Sequence, residues 1–146
     1  MAKLSTGLRD HLLTTGDFQS GVDGGVIFIF SGTPPATADD ALSGNTLLCT
    51  ISNNAAGTGI TMAAAAAGGV LGKNTAEIWR GQIVANGTAT FYRFAPIADD
   101  GLLSTTAKRI QGTVGALNAD LIFSNVNFVQ GNFRQIDNYN VAQPTA

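Results

Sequence analysis

Two arginines lie where a predicted β-hairpin would set them side by side. Residues 79–96, WRGQIVANGTATFYRFAP, hold two β-rich runs joined by Asn86-Gly87, a dipeptide typical of two-residue hairpin turns. Pairing outward from that turn places Arg80 opposite Arg93. Like charges that face each other across a sheet are destabilising by roughly 0.2–1 kcal/mol. We therefore expect either a carboxylate close to both guanidinium groups or a different register.

The source of that carboxylate is open to two interpretations. The favoured one is that an aspartate of the same chain, such as Asp120 or Asp137, neutralises the pair. The alternative is that Arg80 and Arg93, together with Arg109, form a patch that receives a carboxylate of another subunit. Arginine suits either role, because its planar fork binds a carboxylate through two parallel hydrogen bonds and it is enriched at interfaces.

The other face of the same predicted hairpin is apolar. Its register aligns Trp79, Ile83, Tyr92 and Phe94 on one side, since successive side chains of a strand point to opposite faces. We expect these four residues to belong to the hydrophobic core.

Groups that could act as nucleophiles or metal ligands are scarce. The chain has one cysteine, Cys49, in an apolar strand, and one histidine, His11, near the N-terminus. A Cys–His dyad would need the two side chains to meet, but free cysteine is among the most buried residue types. We expect Cys49 in the core and His11 on the surface of a helix. One Cys and one His cannot supply the spacing of a closed zinc site, so no catalytic, metal or cofactor residue is predicted and the chain is not expected to be an enzyme.

Two acidic pairs, Asp39-Asp40 and Asp99-Asp100, lie in predicted turns. Their oxygens could bind calcium, but an EF-hand loop needs acidic ligands at alternate positions ending in a glutamate, and Glu77 is the only glutamate. We expect both pairs to be solvated turn carboxylates.

The composition limits the possible classes of function. Charged residues make up 12 %, about half the usual share, and hydrophobic residues 45 %. A net charge of −2 and a pI near 5.0 do not suit a nucleic-acid-binding surface. Residues 41–72 carry no charge, but polar residues and glycines interrupt them, so no membrane span is expected, and the N-terminus lacks the apolar run of a signal peptide. So few surface charges predict a homo-oligomer, a dimer or trimer, or burial against other proteins.

The elements that must position these residues are mostly strands. Short β-branched and aromatic runs separated by turn signals cover residues 25–141 and predict an antiparallel β-sandwich or jelly roll. In residues 53–74, five consecutive alanines favour helix by propensity, but flanking glycines favour small-residue strand and turn, which we expect. Residues 142–146 are expected to be a loose tail, and 1–146 to form a single domain.

One short helix is predicted over residues 4–15. Leu4, Leu8 and Leu12 share a helical face, Ser5 or Thr6 can cap its start, and Gly16 suits a left-handed stop.

Five segments resemble small virion structural proteins of tailed bacteriophages, in the same order along most of the chain. They are KLSTGLRDHLL, IFIFSGTPPATADDALSGNTLL, NGTATFYRFAPIADDG, RIQGTVGALNADLIFSNVNFVQG and FRQIDNYNV. The resemblance is weakest in the alanine-rich middle. It implies assembly into a particle without catalysis, and it carries over no active-site residues.

Two functions are compatible with this resemblance. The first is a capsid decoration or cement protein that stabilises the head through contacts with the major capsid protein or other virion proteins. Such a protein would be located in the virion, after assembly in the host cytoplasm. The alternative is a β-sandwich binding module associated with the tail or a fibre, which contacts a host surface glycan.

Overall fold

The computed structural model describes residues 2–142 and is mainly β, with short helices near the N-terminus. Two α-helices, α1 (Thr6–Asp10) and α2 (Phe18–Val22), flank a π-helical turn at His11–Thr15. The strands are β1 (Lys3–Leu4), β2 (Val26–Ser31), β3 (Thr46–Asn53), β4 (Val70–Gly72), β5 (Trp79–Gln82), β6 (Gly87–Thr88), β7 (Phe91–Ala95), β8 (Ile110–Gly115), β9 (Leu121–Ile122), β10 (Asn127–Phe128), β11 (Phe133–Ile136) and β12 (Asn140–Ala142). None of the helices in this part of the chain is long and apolar enough to cross a membrane.

One large antiparallel sheet organises the domain. Its strand order is β1-β8-β7-β2-β3-β5-β11, and β9 adds to β8 in parallel. Two small ladders, β6 with β10 and β4 with β12, lie outside this sheet. The predicted mainly β fold with antiparallel pairing and a short N-terminal helix is confirmed.

The core lies on one face of this sheet, which we call the inner face. The residues that point to it from the central strands are each 1 % exposed or less, and they are Ile27, Ile29, Cys49, Ile51, Ile83, Tyr92, Phe94 and Ile110. Leu8 of α1, Ile60, Phe123 and Phe128 pack against them from the other side. The domain is thus layered like a sandwich around a single core.

Tyr139 is the centre of the aromatic part of that core. Its ring lies 5.8 Å from Trp79, 6.1 Å from Tyr92 and 5.9 Å from Phe94, measured between centroids. Its hydroxyl oxygen is 3.0 Å from that of Tyr92, so each buried hydroxyl has a hydrogen-bond partner. Gly112 lies opposite Tyr92, and a Cβ there would come within 2.6 Å of the Tyr92 ring. Glycine at 112 therefore makes room for the tyrosine.

The predicted 79–95 hairpin does not form. Its first arm, β5, pairs with β3 and β11, and its second arm, β7, pairs with β2 and β8. Arg80 therefore lies opposite Ser52 and Gln135, whereas Arg93 lies opposite Phe28 and Gln111. The prediction that the two arginines face each other is wrong. Trp79, Ile83, Tyr92 and Phe94 are nevertheless all buried on the inner face.

The N-terminal prediction was right in part. Ser5 caps α1, and its Oγ accepts a hydrogen bond from the Leu8 backbone N–H. Leu8 is fully buried, and Leu4 and Leu12 are packed against the core. Gly16, however, has a φ of −170°, so the helix does not stop through a left-handed residue. The second helix, α2, was not predicted, and Asp17 caps it through the Ser20 N–H.

The alanine-rich stretch forms a projecting hairpin, as expected for small-residue strand and turn. Met62 pairs with Lys73 at its base, and Ala67 pairs with Val70 at its tip. Gly68 and Gly69 connect the arms with φ values of +59° and +79°, a two-residue turn that favours glycine at both positions. The four alanines at 64–67 are exposed. Of the predicted tail, Ala142 belongs to β12, and residues 143–146 lie outside the described residues.

Trp79→Ala should lower the free energy of unfolding by about 3–5 kcal/mol, because it removes a fully buried ring from the aromatic cluster. The neighbouring Ile78, 46 % exposed, offers a matched control. Ile78→Ala should change stability by less than about 1 kcal/mol. Urea denaturation of both variants measures the difference, and equal midpoints for the two would contradict this assignment of the core.

Candidate interaction surface

Two of the three predicted arginines meet on the outer face of the sheet and are buried there. Arg93 lies opposite Gln111 on the neighbouring strand, and Arg109 is two residues before Gln111, so all three side chains share one face. Arg93 is 1 % exposed and Arg109 is fully buried. A buried guanidinium must find acceptors for its N–H groups, and two loops provide them.

Arg109 forms a two-pronged ion pair with Asp99. Its Nε donates to Asp99 Oδ2 at 2.9 Å and its Nη2 to Asp99 Oδ1 at 2.6 Å. Nη2 also donates to the Leu102 carbonyl at 2.8 Å, and Nη1 to the Ala38 carbonyl at 3.2 Å. One side chain thus fixes two loops, residues 33–45 and residues 96–104.

Arg93 is held without a carboxylate. Its Nε donates to Gln111 Oε1 at 2.9 Å and its Nη2 to the Asp40 carbonyl at 2.7 Å. Its Nη1 is buried and has no hydrogen-bond partner within residues 2–142. Burial, and then the positive charge of Arg109, lower the pKa of Arg93 to about 10 despite the opposing influence of nearby aspartates. The guanidinium is charged at neutral pH, and backbone dipoles stabilise it.

The loop of residues 33–45 is held over these side chains at several points. The Gln111 amide donates to the Pro35 carbonyl at 2.7 Å. Asp39 accepts hydrogen bonds from the Thr6 backbone N–H at 2.8 Å and the Thr6 hydroxyl at 2.6 Å. Its carboxylate therefore lies at the first turn of α1, where a negative charge is favourable. The two arginines, this loop and the N-terminal helix form one connected polar cluster.

The second loop of the cluster carries exposed apolar side chains. Ile97, Leu102 and Leu103 are 50 %, 61 % and 68 % exposed. Arg109 anchors this loop by binding the Asp99 carboxylate and the Leu102 carbonyl. The Leu42 N–H adds a further anchor, because it donates a hydrogen bond to the Gly101 carbonyl at 2.8 Å. An apolar surface on a loop that is already ordered loses little conformational entropy when it binds. We call residues 96–104 the braced loop, and it is the candidate interaction surface.

Arg80, the third predicted arginine, lies away from this cluster. Its guanidinium is stacked on the Phe133 ring, with Cζ 4.6 Å from the ring centroid. Its Nε is buried and has no hydrogen-bond partner in the described part of the chain. Asp120 or Asp137 was expected to neutralise Arg80 and Arg93, but neither arginine forms a salt bridge within residues 2–142. Asp99 instead pairs with Arg109. Asp137 accepts instead from the Gln135 amide, at 2.7 Å.

The acidic pairs are structural in part. Asp99 and Asp39 were expected to be solvated, but each anchors a loop. No signal in the sequence joins Asp99 to Arg109, because their contact depends on the loop between them. Asp40 accepts from the Thr37 N–H and Asp100 from the Leu102 N–H, in exposed turns that agree with the expectation.

The remaining candidate side chains lie in the core or in the N-terminal π-helical turn. Cys49 is fully buried, and burial raises the pKa of its thiol to about 12, which disfavours the thiolate. His11 lies in the π-helical turn, with Nε2 3.0 Å from the Ser20 hydroxyl. Burial raises the pKa of Tyr92 to about 12 and that of Tyr139 well above its usual value. Within residues 2–142, no three His, Cys, Asp or Glu side chains are grouped so as to hold a metal ion.

No protein-family model, curated protein or solved structure matches this chain.

Arg109→Ala should lower the free energy of unfolding by about 3–5 kcal/mol, since it leaves the Asp99 carboxylate without its cation. The braced loop should also become the first site of limited proteolysis, because its two anchors are lost. Arg9→Ala is the control, since the Arg9 side chain is exposed and its Nη2 donates a hydrogen bond to the Thr6 hydroxyl. It should cost less than about 1 kcal/mol. An intact braced loop in Arg109→Ala, judged by its cleavage rate, would contradict the bracing role.

The contact between Asp39 and Thr6 should make stability fall in acid. Burial raises the pKa of Asp39, but the two hydrogen bonds from Thr6 outweigh it, so the pKa is lowered from 3.8. The Asp39 carboxylate therefore binds a proton more readily in the unfolded chain than in the folded one. The free energy of unfolding decreases as the pH falls from above 3.8 through the lower pKa that Asp39 has in the folded state. Asp39→Asn should flatten this acid slope. Urea midpoints measured across that range provide the test, and an unchanged slope would argue against the contact.

Proposed function

We propose that the chain is a structural protein of a bacteriophage virion and acts as a capsid decoration or cement protein. The observation that carries the proposal is the braced loop, which presents Ile97, Leu102 and Leu103 to solvent on a backbone fixed by a buried ion pair. The resemblance of the sequence to small virion proteins gives the biological setting. The partner in this setting is the major capsid protein or another virion protein.

The chemistry of the chain supports an assembly role. Its buried ionisable groups hold loops, as Arg109 and Asp99 do, or lie in the core, as Cys49 does. Exposed aliphatic side chains recur on other loops, with Leu13 and Leu117 each 80 % exposed. A charged share of 12 % leaves these side chains with few charged neighbours. Such a surface favours contacts with other proteins over free solution.

A host-glycan module remains the second candidate, and one groove favours it. Residues 119–122 and 135–140 line a groove of about 490 Å³ between β9 and the end of β11. Asp120, Asp137, Asn138 and Asn140 supply polar groups of the kind that bind sugar hydroxyls. Sugar sites also need an exposed ring for stacking, and Tyr139 is only 7 % exposed. We therefore rank this candidate below the cement role.

The test is to replace the apolar tip of the braced loop. The double substitution of Leu102 and Leu103 by Asp should abolish binding to particles of the parent phage that lack the chain, because it puts two charges into an apolar contact. Leu117→Asp, an equally exposed change on another loop, is the control. Thermal melting checks that both variants fold, and co-sedimentation with the particles measures binding.

The copy number in purified particles separates the two candidates. Hundreds of copies per particle are expected for a cement protein, whereas a handful would indicate a tail or fibre module. Binding that survives the double substitution but is lost in Leu117→Asp would refute the assignment to the braced loop.

A further inference from the structure

Among the strands of residues 2–142, β11 at the edge of the large sheet has a pairing partner on one side only. β11 pairs with β5, and the bond from the Ile83 N–H to the Asn132 carbonyl fixes which residues face that strand. Residues 132, 134 and 136 therefore bond inward, since bonding direction alternates along an antiparallel strand. The backbone groups of Phe133 and Gln135 point outward, and the Phe133 carbonyl accepts a hydrogen bond from Arg134 Nη1 at 3.1 Å. Asp137 follows at the bend just after the strand. Residues 135–140 line a groove whose other wall is residues 119–122.

The side chains beside this edge form an unusual surface. Phe133 is 46 % exposed and carries the Arg80 guanidinium on its ring. Arg80 makes no salt bridge within residues 2–142, and its buried Nε has no acceptor there. Val84 and Val129, near the start of β11, are 55 % and 54 % exposed. The segments that carry them are joined by a hydrogen bond from the Gly131 N–H to the Ile83 carbonyl. A cation and an apolar patch thus lie next to the outward-facing backbone groups of β11.

We propose that a second copy of this chain pairs with β11 through its own β11, antiparallel and across a two-fold axis at Gln135. A two-fold axis perpendicular to the sheet keeps like faces together, so residues of the same face must meet. The outward backbone groups match in more than one such register. The register that also places Phe133 opposite Asp137 of the other copy sets Gln135 opposite its own copy, and it uses the outward N–H and C=O groups of both strands.

Charge complementarity selects the second copy as the occupant. In this register the Asp137 carboxylate of one copy lies over Phe133 of the other, beside the Arg80 guanidinium stacked there. The symmetry provides this pair twice. Within residues 2–142 of one copy, Arg80 forms no salt bridge and the Asp137 carboxylate accepts from the Gln135 amide, whereas the dimer pairs Arg80 with Asp137. The β11 edge is distinct from the braced loop, and dimerisation through it does not depend on the virion role.

The pairing predicts a specific cross-link. Directly opposed residues of an antiparallel pair have Cα atoms about 5.5 Å apart, within the range of a disulfide. Gln135→Cys should therefore form a covalent dimer under mild oxidation, and the buried Cys49 should not compete. Gln82→Cys is the control, because Gln82 is exposed on the same face but one strand further from the axis. Its copies would be about 14 Å apart across the sheet, three strand spacings, and further apart in total because Gln82 lies opposite Phe133 and not opposite Gln135. They are therefore too far apart to bridge.

Charge reversal tests the register independently. Arg80→Asp and Asp137→Arg should each weaken dimerisation at least about tenfold in sedimentation equilibrium, since each places like charges together twice. The combined variant should return to within about threefold of the parent, because the pair is restored with opposite sign. Circular dichroism confirms that each variant is folded. Cross-linking of Gln135→Cys no faster than Gln82→Cys, or a double variant as weak as the singles, would overturn the proposal.

Discussion

A fully buried guanidinium must be surrounded by acceptors, and this requirement at Arg109 determines how the loops of the domain are arranged. A charge that leaves water without partners costs several kcal/mol, so the fold is stable only when Asp99 and the surrounding carbonyls are in place. The acceptors come from loops far apart in the sequence. The loops that supply hydrogen-bond acceptors to Arg109 therefore cover a large part of the outer face of the sheet.

This closure divides the outer face into two halves with different properties. Over β7 and β8 the loops exclude water, which explains why all five residues of β7 are buried and why its sequence is almost continuously apolar. Over β5 and β11 the outer face is more open, and Arg80 and Phe133 remain partly accessible. Polar groups are thus internal to the fold on one side and available for contacts on the other. The inner face contributes the larger part of the hydrophobic stabilisation, because it buries the aromatic cluster around Tyr139.

The sequence was informative where the signal is local. Strand-forming runs such as VIFIFS, the Ser5 cap and the burial of Trp79, Ile83, Tyr92 and Phe94 all follow from residue type and short-range pattern. The hairpin at Asn86-Gly87 failed because tertiary pairing overrode the turn: β5 and β7 both found other partners in the sheet. The choice of Asp99 over Asp120 or Asp137 was equally inaccessible, since it depends on where a long loop returns. Tyr139 was missed because its flanking polar residues hide a buried position.

The alanine-rich hairpin has a practical consequence. Its tip, Gly68-Gly69, is exposed, and Val70 beside it pairs with Ala142 of β12. Exposed tips of this kind tolerate inserted sequence better than packed segments do. A foreign peptide placed between the two glycines would leave the core, the braced loop and the β11 edge untouched. If the chain coats a particle in many copies, this hairpin is the natural position for multivalent display.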